Sequence, residues 1–189
     1  MRSYSEEDTR NALPFSRLIP ALEEAFQQDY YVPRRHIHDI GTREHPVRTL
    51  IMPAWSDTGF LGIKTVNIAQ RNSEKALPGL FATYTLYDRS TGQPVAHMDG
   101  NEITARRTAA ASALAATFLA RKTSSRLLVL GTGRVGSLIP AAYRQVLPIS
   151  EVMVWNIRSA GAQKMVDRLN SQGFRAQICS ELAKAAEEK

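Results

Sequence analysis

The fold of this chain is decided by residues 127–136, which read Leu127-Leu128-Val129-Leu130-Gly131-Thr132-Gly133-Arg134-Val135-Gly136. The four apolar residues predict a buried strand, and a helical pattern follows the glycines, so the G-x-G-x-x-G spacing predicts a turn that binds the pyrophosphate of a dinucleotide. Gly131 permits the tight turn, Gly133 lets phosphate approach the backbone, and Gly136 lets helix and strand pack closely. The helix N-terminus offers unpaired N–H groups to the anion. We assign cofactor contacts to Gly131, Thr132, Gly133, Arg134, Val135 and Gly136.

Strands and helices alternate from residue 126 to residue 188. The pattern predicts strands at 126–130, 151–155 and 174–178, and helices at 135–146, 160–171 and 181–188. Such alternation is typical of a parallel sheet covered by helices. The fold class is therefore α/β, with an incomplete Rossmann-type domain over residues 121–189.

The end of the second parallel strand predicts which dinucleotide is bound. About twenty residues after the glycines, this fold places the side chain that contacts the ribose, and a carboxylate there favours NAD. This chain has Asn156, followed by Arg158 and Ser159, which offer a positive charge and a hydroxyl to a 2'-phosphate. We therefore expect NADPH as the cofactor, with NADH possible.

The N-terminal part follows a different pattern. An amphipathic helix is predicted at 14–30, and turn clusters separate predicted strands at 36–40, 47–55, 60–68, 79–87 and 94–98. An alanine-rich helix, capped by Asn101, connects the two parts over residues 101–120. We expect an antiparallel sheet with a helix packed on it, and domains at 1–120 and 121–189.

Composition narrows the class of protein. The chain has 189 residues, 43% of them hydrophobic, and its 24 Lys and Arg against 18 Asp and Glu give a net charge of +6. The basic residues do not cluster, which argues against nucleic acid. Cys179 is the single cysteine, and no apolar stretch is long enough for a membrane span. We expect a soluble, cytoplasmic protein without a membrane partner.

Several motifs together resemble the ornithine cyclodeaminase and mu-crystallin family. They are residues 33–36 (P-R-R-H), 61–66 (L-G-I-K-T-V), 88–95 (D-R-S-T-G-Q-P-V), 107–110 (R-T-A-A) and the glycine turn. The branch that reduces Δ1-pyrroline-2-carboxylate and Δ1-piperideine-2-carboxylate is the one that looks most similar, on Arg35-His36 with His38, residues 52–55 (M-P-A-W) and residues 106–112. The resemblance implies an N-terminal α+β domain that binds substrate and forms a homodimer. Family members continue past the position of residue 189, and their catalytic aspartate lies there, so it matches no residue here.

The resemblance also implies three substrate-site side chains. Arg35 and Arg107 would clamp the carboxylate of a small cyclic imino acid, because guanidinium binds carboxylate bidentately. Lys64 alternates with Ile63 and Thr65, which places it with Val66 on the face that lines a cleft towards the glycine turn. There it would donate a proton to the substrate or hold the substrate carboxylate electrostatically. Thr108 is expected at the cofactor. Arg106 points elsewhere on the helix and is expected at the surface.

Metal binding is not expected, and three functions remain open. His36 and His38 share a strand face, but no third ligand stands at a suitable spacing. The first function is reduction of a cyclic imine carboxylate to L-proline or L-pipecolate with NADPH. The second is ornithine cyclodeamination with NAD, which the missing acidic ribose contact disfavours. The third is a mu-crystallin-like protein that binds NADPH and a small acid without turnover.

Overall fold

A computed structural model describes residues 1–57 and 59–182, which form two compact units. Met1–Pro14 and Glu24–Thr104 build the first unit, while Phe15–Glu23 and the chain from Ala105 onward build the second. The predicted α/β fold class is confirmed, since one unit contains a mostly antiparallel sheet and the other a parallel sheet. The units divide inside the connecting helix, whereas the sequence predicted a domain boundary after it.

The first unit is a seven-stranded sheet with one short helix. The main path has the order β1-β7-β6-β5-β4-β2, and β3 also pairs with β4. All pairings are antiparallel except that of β1 with β7. The elements are β1 (Arg2–Ser3), α1 (Glu6–Ala12), β2 (Tyr30–Tyr31), β3 (His36–Asp39), β4 (Val47–Ser56), β5 (Phe60–Ala69), β6 (Leu80–Asp88) and β7 (Pro94–Asp99), with a 3-10 helix at Gln70–Lys75.

The five strands predicted in this part are confirmed to within one residue at each end, whereas α1, β1 and β2 were not predicted. The N-terminus of α1 carries a capping box, in which the Ser5 hydroxyl accepts from the Asp8 N–H and the Asp8 carboxylate accepts from the Ser5 N–H. The S-x-x-D spacing is therefore the signal that could have revealed α1. The two missed strands have two residues each, too few to show alternation.

One face of the sheet carries the core of the first unit. Leu50, Val66 and Ala82 lie next to one another on β4, β5 and β6 and are buried. Met52, Ile68 and Leu80 pack around them. Because side chains alternate across a strand, Gly62 and Lys64 share this face with Val66.

Helix α2 (Phe15–Ala25) is shorter than the predicted helix, which extended to Tyr30. The chain turns after Ala25, where the N–H of Gln28 donates to the Ala25 carbonyl at 3.1 Å, and Phe26 is 72% exposed. Phe26 therefore fits the apolar spacing of the helix in sequence, but it lies after the helix end and outside the buried apolar stripe.

Helix α3 (Gly100–Leu119) is the long alanine-rich helix. Asp99 caps it, because its Oδ1 accepts the N–H of Glu102 at 2.7 Å, so the predicted cap at Asn101 is wrong and Asn101 lies inside the first turn. In the second unit, small side chains let α3 pack closely. The buried cluster there comprises Phe15, Ile19, Ala109, Ala110, Ala113, Leu114 and Ala142.

The second unit contains the predicted parallel sheet, with strand order β10-β9-β8. Its elements are β8 (Arg126–Leu130), α4 (Ile139–Tyr143), β9 (Glu151–Trp155), α5 (Ser159–Ser171) and β10 (Arg175–Ile178). Val152, Val154 and Leu169 are the centre of its core. Most of the helix predicted at 181–188 lies outside the described residues.

Helix α4 is much shorter than the predicted helix at 135–146. Turns occupy residues 134–138, although the N–H of Ser137 already bonds the Gly133 carbonyl at 2.9 Å. Pro140 has no N–H to donate to Gly136, which removes one bond of the expected ladder. Residues 134–138 therefore form successive turns, and a regular α-helix begins only at Ile139.

Candidate functional site

The glycine turn has the geometry of a phosphate cradle. Gly131 has a φ of +96°, a conformation that L side chains rarely adopt, and its N–H donates to the Trp155 carbonyl at 2.8 Å. This bond ties the turn to the end of the neighbouring strand. A Cβ built on Gly133 meets nothing within 4 Å, so open space lies beside that backbone.

Gly136 is a glycine for a different reason from the one its spacing predicted. A Cβ at this position would overlap the carbonyl oxygen of Gly131. The constraint therefore comes from the turn closing on itself rather than from helix packing on the strand. The space beside Gly133 is empty, whereas the space beside Gly136 is filled by the Gly131 carbonyl. This combination is expected of a loop that must hold its shape and admit a ligand.

The end of β9 lies beside the glycine turn. A Cβ on Gly161, in the first turn of α5, would lie 2.8 Å from Asn156 Nδ2 and 2.9 Å from Thr132 Oγ1. The structure therefore brings Thr132 and Asn156 to the same glycine. Sequence reasoning missed Gly161, and the only signal was a glycine just inside a helix that otherwise favours larger residues.

Asn156 has a structural bond as well as an expected cofactor contact. Its Nδ2 donates to the Arg158 carbonyl at 2.9 Å, which closes the short loop between β9 and α5. The Arg158 and Ser159 side chains are exposed, with Arg158 at the N-cap of α5. A guanidinium and a hydroxyl therefore reach solvent at the start of a helix whose backbone N–H groups favour anions.

Lys64 is half-buried on the covered face of β5. Its Nζ donates to Thr104 Oγ1 at 3.4 Å, which joins β5 to the N-terminal part of α3 inside the first unit. Met52 on β4 and Tyr84 on β6 stand directly opposite Lys64 in the sheet. Burial raises the pKa of the Tyr84 hydroxyl above its usual value, so the phenol stays neutral at neutral pH.

Helix α3 presents two arginines in different surroundings. Arg107 is exposed, whereas Arg106 is half-buried and its guanidinium carbon lies 4.5 Å from the ring centroid of Phe15. The expectation that Arg106 is a surface residue is therefore wrong, because the ring gives the guanidinium a packing partner. Thr104, Arg107 and Thr108 follow one another at i, i+3 and i+4, the spacing of one helix face.

Arg35 lies in the segment between β2 and β3 and is exposed. It belongs to the first unit with Lys64, whereas Arg107, Thr108 and the glycine turn belong to the second.

His36 and His38 are exposed on β3. Within residues 1–57 and 59–182, no three His, Cys, Asp or Glu side chains form a group that could hold a metal ion. No helix of that same part combines the length and apolar character needed to cross a bilayer.

Known proteins resemble this chain in sequence and in fold. A Δ1-pyrroline-2-carboxylate reductase of Colwellia psychrerythraea is 33% identical over 169 residues, which are 88% of this chain and 53% of the relative. The structure of Thermococcus litoralis Δ1-pyrroline-2-carboxylate reductase in complex with NADH and L-proline matches with a TM-score of 0.81 and 28% identity, over 100% of this chain and 60% of that one. An archaeal alanine dehydrogenase dimer with bound NAD has a TM-score of 0.80 and 30% identity, over 94% and 55% of the two chains.

This chain thus spans between half and two thirds of the length of these three proteins. The model of one protein family matches residues 4–189, nearly the whole sequence given. The resemblance that the sequence motifs indicated is confirmed. The chain belongs to the ornithine cyclodeaminase/mu-crystallin family.

Proposed function

We propose that the protein reduces a cyclic imine carboxylate, Δ1-pyrroline-2-carboxylate or Δ1-piperideine-2-carboxylate, to L-proline or L-pipecolate with NADPH. The observation that carries this proposal is a half-buried lysine on a covered sheet face, Lys64, whose ammonium donates a hydrogen bond to Thr104 on α3. One relative and one structural neighbour named above are Δ1-pyrroline-2-carboxylate reductases, which supports this class of substrate.

The residues of the second unit fit a dinucleotide. Gly133 leaves the space that a pyrophosphate needs, and Gly131 and Gly136 hold the turn in shape. Thr132 and Asn156 would flank the ribose side, with Thr108 as a further contact from α3. The bound nicotinamide would supply the hydride for the reduction.

Substrate binding would use the charges outside the glycine turn. Arg107 is exposed and available to pair with a carboxylate, and Arg35 offers a second guanidinium. A lysine ammonium donates hydrogen bonds but accepts none, so Lys64 can hold or deliver a proton at the imine nitrogen. The Thr104 hydroxyl would hold the Lys64 ammonium in position when no substrate is bound.

NADPH is proposed over NADH because of the side chains after β9. The described loop offers Arg158 and Ser159 to a 2'-phosphate, and position 156 is a neutral amide where a carboxylate would repel phosphate. The neighbours named above hold NADH or NAD, so the proposed preference rests on the residues of this chain alone. Ornithine cyclodeamination with NAD is the alternative that an NADH preference would favour.

The test is to mix purified protein with NADPH and each cyclic imine and to follow the nicotinamide absorbance. Reduction of either imine, with L-proline or L-pipecolate identified by mass spectrometry, supports the proposal. Tight NADPH binding without turnover would instead support a binding protein. Release of ammonia from L-ornithine with NAD would support the cyclodeaminase.

We also propose that the protein forms a homodimer through the sheet of the first unit. The face opposite the core carries Ile51 and Phe81, which are 37% and 44% exposed, among threonines on β5 and β6. An exposed apolar sheet face of this kind is typical of a subunit interface. The alanine dehydrogenase neighbour is a dimer, and a second copy of this chain would cover the face.

A further inference from the structure

The surroundings of Lys64 contain a second feature that the proposed function leaves unused. Tyr84 is the cross-strand partner of Lys64 on β6, and Met52 is its partner on β4. Side chains directly opposite each other in antiparallel strands stand about 5 Å apart at Cβ. The first carbons of the Lys64 side chain therefore leave the sheet between those of Met52 and Tyr84.

The ring of Tyr84 occupies the space that Gly62 leaves beside its backbone. A Cβ built on Gly62 would overlap the Tyr84 hydroxyl and lie 2.6 Å from its Cζ. The far end of the ring thus leans along β5 and lies directly on the Gly62 backbone. Any larger residue at position 62 would displace the ring, which explains why a glycine stands inside a buried strand.

We propose that Tyr84 is the positioning residue for Lys64: its ring, seated on Gly62, closes one side of the lysine and directs the ammonium towards Thr104 on α3. This inference rests on the proposed function only in assuming that Lys64 meets the substrate. The Nζ to Thr104 Oγ1 contact of 3.4 Å shows the direction that the side chain takes. Because burial raises the pKa of the phenol, Tyr84 adds no negative charge to this face of the sheet at neutral pH.

Reactivity of the lysine tests this proposal without substrate or cofactor. Reductive methylation of Lys64 by formaldehyde and borohydride is followed by peptide mass spectrometry, with Lys164, which is exposed on α5, as the internal reference. Tyr84→Leu removes the ring, and we expect Lys64 to be methylated at least about threefold faster relative to Lys164. Tyr84→Phe keeps the ring and is expected to match the parent. An unchanged Lys64 rate in Tyr84→Leu would overturn the proposal.

Gly62→Ala provides an independent arm. It displaces the ring in the parental background and should change the Lys64 rate, but it should have no further effect once Tyr84 is leucine. An equal effect of Gly62→Ala in both backgrounds would mean that the glycine acts through something other than the Tyr84 ring. That result would overturn the claim that the ring positions Lys64 from its place on Gly62. Circular dichroism verifies folding, and Tyr84→Met repeats the test if Tyr84→Leu does not fold.

Kinetics separate this inference from the proposed function. In a protein that reduces the imine, Tyr84→Leu should lower kcat about tenfold with unchanged NADPH affinity, because misplacing a proton donor slows chemistry rather than cofactor binding. Changed lysine reactivity in a protein without reductase activity would support positioning and refute the function. Reductase activity with parental Lys64 reactivity and kcat in Tyr84→Leu would support the function and refute positioning.

Discussion

At the scale of single residues, Arg158 decides the choice of dinucleotide in our proposal. Its exposed guanidinium at the N-cap of α5 would pair with the 2'-phosphate. We expect Arg158→Ala to weaken NADPH binding about tenfold, roughly 1.4 kcal/mol, and to leave NADH binding unchanged. Fluorescence titration of both cofactors measures this. Equal losses for NADPH and NADH would show that Arg158 does not contact the phosphate.

Asp88 gives a residue-scale prediction about pH. Its Oδ1 accepts from the backbone N–H and the hydroxyl of both Ser90 and Thr91, and these bonds hold the pKa of the carboxyl below its usual value. A carboxyl whose pKa is lower in the folded state stabilises the fold above its unfolded pKa, about 3.9, and loses that effect as pH falls through the folded pKa.

Asp88→Ala should therefore lower the Tm at neutral pH, and the difference from the parent should shrink below about pH 4. Thermal unfolding at a series of pH values measures the effect. Asp29→Ala, at an exposed position between α2 and β2, is the matched control and should show no such pH-dependent difference. A difference for Asp88→Ala that stays constant into acid would contradict the role given to the ionised carboxylate.

At the scale of elements, the start of α3 depends on a side-chain cap. The Asp99 carboxylate accepts a hydrogen bond from the Glu102 N–H, so Asp99→Ala should lower the free energy of unfolding by about 1 kcal/mol. Asp99→Asn should keep most of the parental stability, because the Asn side-chain oxygen can accept the same bond. Among the described residues, none donates a hydrogen bond to the buried Oδ1 of Asn101. Asn101→Ala should therefore leave the free energy of unfolding unchanged or raise it. Urea unfolding of the three variants decides which residue is the cap.

The glycine turn allows binding and stability to be separated within one element. Gly133 faces open space, so Gly133→Val should keep the parental Tm and lose binding of both cofactors, because the side chain fills the phosphate space. Gly136→Ala would overlap the Gly131 carbonyl and should cost about 1 to 3 kcal/mol of stability. Retained cofactor binding in a folded Gly133→Val variant would refute the placement of the pyrophosphate.

At the scale of the whole molecule, the exposed sheet face predicts the oligomeric state. Sedimentation velocity should show a dimer for the parent and a monomer for Phe81→Glu, since a charge buried in an apolar interface is costly. Phe118→Glu is the matched control, because Phe118 is 72% exposed on α3 in the second unit. A dimer that survives Phe81→Glu would place the interface elsewhere.

Local chemistry was enough to predict most elements and the glycine turn. Strands at 47–56, 60–69 and 80–88 show alternation or β-branched runs, and the turn shows glycines between an apolar strand and a helical pattern. These signals lie within a few residues of one another, so the sequence alone determined them. The family assignment followed from the same short motifs.

Tertiary structure decided what depends on residues far apart in sequence. The ring seat on Gly62 and the packing of Arg106 on Phe15 arise from pairings between distant elements, as does the contact of Gly161 with Thr132. Capping showed the same limit on a smaller scale, because Asn101 and Asp99 have similar capping propensities. Only the path of the backbone into α3 selects Asp99, since the cap must stand outside the first helical turn.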